Sequence, residues 1–313
     1  MLLSIVTPSY NEAENLPRLY RRLCELNWAA LGLEWEWVVV DDHSRDATQQ
    51  VLGALVAGDP RVRWLRFSRN FGSHAGCTAG LEHSRGDAAI VMAADLQDPP
   101  ETIPALVEKW RGGADVVWAV RGAREGETLR TVASARLFYA LMRRATALDL
   151  PPAGVDFFLV NRAVIEALKS APERNTSLIG QIQWLGFNQT SLLYTKQARA
   201  AGRSKWTFSK KVKLSIDWLV GFSYFPIRFM SALGVIFALA GFLYALLLTL
   251  RRVVWVVPVE GWTSLICVVL ITSGVQLVML GVLGEYLWRT FDASRQRPRY
   301  VIERREGFPP KQR

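Results

Sequence analysis

The spacing of apolar and polar residues over 1–206 alternates between two periods, one typical of strands and one typical of helices. Short apolar runs predict five strands, at residues 2–6, 37–40, 62–67, 88–94 and 115–120. Between the first two runs, apolar side chains recur at helical spacing in Leu16, Leu19, Tyr20 and Leu23,. Further helices are predicted over 47–58, over 74–85 and from Pro100 to Gly112,. This alternation predicts an α/β fold with a mostly parallel sheet.

The pattern changes after about residue 225. Phe229–Leu250 and Trp262–Leu283 contain no charged residue, and each is long enough to cross a bilayer core of about 30 Å. They predict a transmembrane hairpin; two buried helices of a large soluble protein are the alternative. The segment 209–226 is amphipathic and predicts a helix lying on the membrane, with an ordinary surface helix as the alternative. The chain therefore divides into segments 1–206, 207–227, 228–288 and 289–313.

The charge of the chain narrows the choice of partners. The 313 residues carry a formal net charge of +10, which suits nucleic acid, an anionic membrane or a phosphorylated ligand. The basic residues cluster near the predicted membrane segments and in the C-terminal tail, so nucleic acid is the weakest of the three. Two spans place this tail on the same side as residues 1–206, and the positive-inside rule makes that side the cytoplasm. We predict a multi-pass protein of the cytoplasmic (inner) membrane.

Three polar clusters follow predicted strands, at 8–12, 41–44 and 95–98. In parallel α/β sheets, ligands bind at the carboxyl ends of the strands, so the clusters predict one site. Asp95 and Gln97 offer hard oxygen ligands that suit Mg²⁺ or Mn²⁺. Such an ion would clamp a diphosphate and neutralise it as a leaving group. Taken singly, each cluster could instead cap a helix.

Longer motifs give a specific resemblance. The strings PSYNEAENL, VVVDDHSRDAT, RNFGSHAGCTAGL and ADLQDPPE, in this order, resemble glycosyltransferase family 2. Within that family, DFFLVNR, RAAGRSKW and the terminal hairpin resemble bacterial polyisoprenyl-phosphate glycosyltransferases, with dolichyl-phosphate mannose synthase as a more distant relative. The resemblance implies a GT-A fold and a nucleotide-sugar donor, for which we favour UDP over GDP. It also implies a lipid acceptor such as undecaprenyl phosphate, a product of inverted anomeric configuration and a homotetramer.

The resemblance also implies roles for individual residues. The nucleoside would contact Pro8, Tyr10, Glu12 and Asp41, and the metal and diphosphate would contact Asp95 and Gln97. Asp156 would lie near the reacting centre. Arginine forks match phosphate oxygens, so cationic side chains are candidates for phosphate binding. These candidates are Arg121, Arg124, Arg130, Arg199, Arg203 and Lys205, together with the hydroxyl of Ser204. Arg199 and Lys205 are also predicted to act in catalysis. The remaining donor-site candidates are Asp42, Arg69, Asn70 and Ala94.

One departure from the family pattern bears on the metal. Position 93 is Ala, where relatives commonly have Asp, so metal binding rests on Asp95 and Gln97, with Asp98 as a further candidate. This loss is the support for one alternative, a non-catalytic membrane binding module. A processive polysaccharide synthase is another alternative; those enzymes usually carry Q-x-x-R-W and more spans, and the nearest string here is QIQWLG at 181–186.

Overall fold

The structure is a computed structural model that describes residues 1–122, 155–171, 173, 177–197, 220, 223, 225–254 and 261–308. Within these residues, eight strands form one sheet. In chain order they are β1 (Leu2–Ser9), β2 (Glu34–Asp41), β3 (Val62–Phe67), β4 (Ala88–Val91), β5 (Val116–Arg121), β6 (Phe157–Asn161), β7 (Gln189–Tyr194) and β8 (Ile302–Glu306). Their order across the sheet is β7–β5–β6–β4–β1–β2–β3–β8.

The sheet is mostly parallel, as predicted. Strands β4, β1, β2 and β3 run parallel to one another, and β5 runs parallel to β7. Strand β6 is antiparallel to both of its neighbours, and β8 is antiparallel to β3. The predicted strand 88–94 ends earlier, at Val91, because the chain turns through residues 92–98, where Leu96 adopts a φ of 61°.

Helices cover both faces of the sheet. One face is covered by α1 (Leu16–Glu25), α2 (Trp28–Leu31), α3 (Thr48–Gly58) and α5 (Ile103–Arg111). On the other face lie α4 (Ser73–His83), α6 (Arg162–Ser170) and α7 (Leu178–Trp184). Buried apolar side chains on both sides of β1 and β2 hold the layers together: Ile5 and Trp37 face the first group of helices, and Val6 and Val38 face the second.

Helix α4 approaches the sheet unusually closely because two of its residues are glycines. An added Cβ at Gly76 would lie 3.0 Å from Cβ of Pro8, and one at Gly80 would lie 2.2 Å from Cγ1 of Val6. The backbone of α4 therefore packs directly on β1, at a distance that larger residues would not allow. This contact fixes α4 beside the carboxyl end of β1, where the predicted site lies.

Two long apolar helices follow, α8 (Phe225–Val254) and α9 (Trp262–Ser294). They contain the two predicted spans, and their apolar side chains face outward. By length and composition both fit transmembrane spans,. Met279 of α9 packs against Gly234 of α8, a close contact of the kind that small residues permit between membrane helices.

The segment after α9 returns to the sheet. Strand β8 lies within the predicted basic tail 289–313 and forms the sheet edge beside β3. The ring of Tyr300 stacks on Phe67, with 5.1 Å between centroids, and Nε1 of Trp64 donates to Glu306 at 3.0 Å. Since β8 shares a sheet with β1–β3, the segment that follows α9 belongs to the same folded unit as the N-terminal strands.

Candidate active site

The three polar clusters lie at one edge of the sheet. Strand β1 lies between β2 and β4, and all three are parallel. Ser9 pairs with Asp41 at the ends of β1 and β2, and Val6 pairs with Val91 at the end of β4. The loops that begin at Tyr10, Asp42 and Met92 thus leave the sheet side by side.

Hydrogen bonds join the first two loops into one unit. The backbone N–H of Asn11 donates to Oγ of Ser44 at 2.8 Å, and Oδ1 of Asn11 accepts from the N–H of Arg45 at 2.8 Å. The N–H of Glu12 donates to Oγ1 of Thr48 at 3.1 Å. Asn11 adopts a φ of 54°, a left-handed conformation that asparagine tolerates better than most residues. Tyr10 and Glu12, on either side of Asn11, therefore sit on a loop held by the protein itself.

The carboxylates of Asp41 and Asp42 are both bonded within the protein. Asp41 is fully buried; its Oδ1 accepts from the N–H of Ser44 at 2.9 Å and its Oδ2 from Nη1 of Arg66 at 2.6 Å. Asp42 accepts from the N–H groups of Phe71 and Gly72 at 2.6 and 2.9 Å. Burial raises the pKa of Asp42, the two N–H donors oppose that rise, and the charge of Asp41 adds to it,.

Asp42 links the second loop to the loop over 68–72, which contains two donor-site candidates. The side chain of Asn70 donates to the carbonyl of Asp42 at 3.4 Å. The guanidinium of Arg69 lies over the ring of Phe71, 4.2 Å from its centroid. Arg69 and Asn70 thus lie at the same edge as Asp42. Their contact with a nucleotide stays a prediction, as it does for Pro8, Tyr10, Glu12, Asp41 and Asp42.

The predicted metal ligands lie on a tight turn after β4. Oδ1 of Asp95 accepts from the N–H of Gln97 at 3.2 Å, and Leu96 between them is left-handed. Ala94 and Asp95 are buried, while Gln97 is partly exposed. Over the described parts of the chain, no group of three or more His, Cys, Asp or Glu side chains could hold a metal by itself. One carboxylate and one amide oxygen fit a hard ion that substrate phosphates also coordinate, as is usual for Mg²⁺.

Asp98, the further candidate for the metal, has its carboxylate bonded within the protein. It is fully buried, and its Oδ1 accepts from the hydroxyl of Tyr194 at 2.5 Å and lies 3.4 Å from Nζ of Lys196. Burial raises the pKa of Asp98, against the charge of Lys196, which lowers it. The N–H of Gln197 also donates to the carbonyl of Gln97 at 2.8 Å. Asp98 therefore fastens the turn to the end of β7 from inside the protein.

Asp156 and Arg121 form an ion pair at this same edge. Strand β6 is antiparallel to β4 and β5, so its first residues lie beside the carboxyl ends of both. Asp156 immediately precedes β6, and its Oδ2 lies 2.5 Å from Nη2 of Arg121, the last residue of β5. Burial lowers the pKa of Arg121, but Asp156, Tyr194 and Asp98 together raise it above its usual value, so Arg121 stays cationic. The Asp156 side chain is 56% exposed and is accessible to a ligand.

Other candidates for phosphate binding lie outside the described residues: Arg124, Arg130, Arg199, Arg203, Ser204 and Lys205. Residues 207–219 of the predicted interfacial helix lie outside them as well. Their roles stay predictions.

Three residues of the site region escaped the sequence analysis: Arg66, Tyr194 and Lys196. Arg66 and Arg63 are charged residues in β3, a strand whose positions are all buried. A charge in such a strand signals a buried partner, and for Arg66 that partner is Asp41. Tyr194 and Lys196 gave no comparable signal, because their partner Asp98 is about 96 residues earlier in the chain,.

The comparison with known families decides the class of protein. The model described as "Glycosyl transferase family 2" matches residues 4–169. The chain belongs to glycosyltransferase family 2. This family 2 glycosyltransferase has the GT-A type of fold that the resemblance implied, and the matched residues include the turn 95–98, the loops at 10 and 42, and Asp156.

Relatives match this family 2 glycosyltransferase over nearly its whole length. An uncharacterized glycosyltransferase of Synechocystis sp. is 39% identical over 96% of this chain and 94% of its own. A bactoprenol glucosyl transferase of Shigella phage SfX is 38% identical over 98% of this chain and 100% of its own. Among solved structures, glucosyl-3-phosphoglycerate synthase of Mycobacterium tuberculosis with Mn²⁺ and UDP is 17% identical, with a TM-score of 0.48 over 70% of this chain and 77% of that one.

Proposed function

We propose that this protein transfers a sugar from a nucleoside-diphosphate sugar to a polyisoprenyl phosphate such as undecaprenyl phosphate. The observation that supports this proposal most strongly is the 38% identity to a bactoprenol glucosyl transferase over 98% of this chain, a share that includes both C-terminal helices. A UDP-sugar is the expected donor, ahead of a GDP-sugar, and the product is a lipid-linked monophosphosugar of inverted configuration.

The donor would bind across the loops that follow β1, β2 and β4. The joined loops at Tyr10 and Asp42 form one wall for the nucleoside, and the turn at Asp95 forms the other. Asp95 and Gln97 are the residues that would hold Mg²⁺ or Mn²⁺, which would neutralise the charge on the diphosphate as it leaves. The internal bonds of Asp41 and Asp42 keep both loops ordered before the donor arrives, which lowers the entropic cost of binding.

The acceptor would approach from the side of Asp156 and Arg121. A phosphate monoester has a second pKa of about 6, so it is largely a dianion at neutral pH and needs little help from a base. It needs a cation that orients it toward the anomeric carbon. Arg121 is such a cation, and its ion pair with Asp156 fixes the direction of the guanidinium. An acceptor oxygen then bonds to the anomeric carbon as the bond to the diphosphate breaks on the opposite face.

The membrane arrangement follows from the hairpin. The acceptor is lipid-borne, so the site must face a bilayer surface. The arginines after α9, among them Arg295, Arg297 and Arg299, favour the cytoplasmic side by the positive-inside rule. We therefore propose that α8 and α9 anchor the protein in the cytoplasmic membrane, with the catalytic domain inside the cell. A homotetramer is the oligomeric state that the family resemblance favours.

The test is a transfer assay with purified full-length protein in detergent. Radiolabelled UDP-glucose, UDP-galactose and GDP-mannose are each incubated with undecaprenyl phosphate and Mg²⁺ or Mn²⁺, and the lipid is extracted into butanol. We expect label in the lipid with at least one donor, none when the ion is chelated, and none when undecaprenol without phosphate is the acceptor. Folded protein that labels no lipid with any nucleotide sugar would refute the proposed function.

A further inference from the structure

The strand that follows the second membrane helix reaches the proposed donor edge. The carbonyl of Val301 accepts from the N–H of Ser68 at 3.0 Å, at the start of the loop that contains Arg69 and Asn70. One residue later β8 begins, and it pairs with β3 along the strand that contains Arg66. Segment 301–306 therefore borders the elements that the proposed function assigns to the donor.

Arg66 connects β8 to Asp41. Its side chain is 10% exposed; Nε lies 2.9 Å from Oε2 of Glu303, and Nη1 lies 2.6 Å from Oδ2 of Asp41. Nη1 and Nη2 each also donate to the carbonyl of Ser44 at 3.4 Å. The planar guanidinium is thus bonded at both ends, by a carboxylate of β8 on one side and by the loop after β2 on the other.

The bonds continue to the loop after β1. Ser44 donates its N–H to Asp41 and accepts the N–H of Asn11 through Oγ. A reorientation of the Arg66 guanidinium would therefore disturb the hydrogen bonds of Asp41, then those of Ser44, and then those of Asn11. Arg66 is also what compensates the buried charge of Asp41, and an uncompensated buried carboxylate is strongly disfavoured. The part of this network nearest to solvent is Glu303, whose side chain is 51% exposed and also lies 3.7 Å from Nδ1 of His43.

We propose that Glu303 is a positioning residue of the donor site, acting through Arg66 on Asp41 and the loop 41–48. The strand after the membrane hairpin then supports a site whose donor-binding loops, at Tyr10, Asp42 and Asp95, come from the first 100 residues of the chain. This inference rests on the proposed function for the identity of the ligand, but the order of the loop can be measured without any ligand.

Glu306 provides a matched control on the same strand. Glu303→Ala and Glu306→Ala each remove one carboxylate and one hydrogen bond between β8 and β3, but the β3 partner of Glu306 is Trp64, and its ion pair is with Arg304 of its own strand. Only Glu303→Ala removes a partner of Arg66, whose bonds to Asp41 and Ser44 are then its remaining anchors on the loop after β2. Glu303→Gln keeps an oxygen acceptor for Nε of Arg66 and should restore most of the wild-type behaviour.

The first measurement is hydrogen exchange of the full-length protein without ligand. Peptides that cover 41–48 should exchange about three- to tenfold faster in Glu303→Ala, as expected for loss of one charge-assisted contact. In Glu306→Ala these peptides should exchange at the wild-type rate. Equal exchange of 41–48 in the two variants would overturn the positioning role.

The second measurement is the dissociation constant of UDP and of GDP, with KM and kcat for the transferred sugar. Glu303→Ala should raise the dissociation constant and KM about three- to tenfold with kcat within about twofold of wild type. An unchanged dissociation constant alongside faster loop exchange would overturn the link to the donor. If the wild type binds neither nucleotide, the proposed function fails, and the exchange experiment still decides whether Glu303 orders the loop.

Discussion

Gly80 of α4 gives the sharpest prediction about how the fold supports the site. In Gly80→Ala the new Cβ would lie 2.2 Å from Cγ1 of Val6 and 3.4 Å from Cγ2 of Val40. Both valines are fully buried strand residues that cannot move aside. Helix α4 must therefore shift away from the sheet.

The size of the effect follows from two opposing terms. Overpacking of a well-packed core lowers the free energy of unfolding by about 1–3 kcal/mol. Replacing Gly by Ala within a helix raises it by about 0.5–1 kcal/mol. Because the 2.2 Å contact is far inside van der Waals distance, the cost lies in the upper part of its range, about 2–3 kcal/mol. The net loss of stability is then about 1–2.5 kcal/mol, which corresponds to a Tm lower by about 2–10 °C for a domain of this size. Because α4 begins at Ser73, its shift should also pull the N–H groups of Phe71 and Gly72 away from Asp42 and reduce sugar transfer.

Gly53 in α3 is the control. An added Cβ there meets no atom within 4 Å, so Gly53→Ala should gain the helix propensity of Ala and raise Tm by about 1–4 °C. Both variants and the wild type are compared by thermal unfolding of the full-length protein in one detergent. A Gly80→Ala protein as stable as Gly53→Ala would refute the inference that α4 depends on glycine for its contact with β1.

Two further substitutions test buried carboxylates. Arg61 and other donors hold the pKa of Asp59 down to about 2, so Asp59→Asn should cost about 2 kcal/mol at pH 7. That loss should shrink as pH falls from about 4 through 2, where wild-type Asp59 also takes up a proton; a difference in denaturant unfolding that is constant from pH 7 to pH 3 would contradict this. Tyr194→Phe removes the hydroxyl that donates to buried Asp98 and should cost about 1–3 kcal/mol; an unchanged Tm would contradict that.

The sequence predicted those strands and helices whose signal lies within a short stretch of the chain. The predicted strand 62–67 coincides with β3, because a short apolar run bounded by turn residues indicates a buried strand without reference to the rest of the chain. The convergence of the clusters at 8–12, 41–44 and 95–98 followed from one rule, that parallel strands present their carboxyl ends together. Strand order β2–β1–β4 then confirmed that these clusters share an edge.

Strand β8 could not be predicted in this way. Its sequence, Ile302–Glu306, contains four charged residues and one apolar residue, so no apolar alternation marks it. It is a strand because β3 offers an open edge and because Tyr300 and Trp64 provide contacts there. Phe67 and Trp64, which contact Tyr300 and Glu306, are more than about 230 residues away from them in sequence, beyond the range of any local pattern,.

Contacts between residues far apart in sequence also limited what could be predicted of the candidate site. Asp98 resembled a third metal ligand because its neighbours in sequence are Asp95 and Gln97. Its burial depends on β7, which packs over it only in the folded chain. Residue type and spacing could place a carboxylate near the site but could not tell whether it faces a ligand or the interior.

The most direct test of the proposed chemistry compares two carboxylates at opposite ends of β4. Asp95 follows the carboxyl end, whereas Asp87 precedes the strand and accepts the N–H of Leu2 at 2.8 Å. Sugar transfer to undecaprenyl phosphate is measured against Mn²⁺ concentration for Asp95→Asn and Asp87→Asn. We expect Asp95→Asn to lose about 100-fold or more of the metal-dependent rate with an unchanged Tm, and Asp87→Asn to transfer sugar like the wild type. Wild-type turnover and metal dependence in Asp95→Asn would contradict the assignment of the metal and diphosphate to this edge.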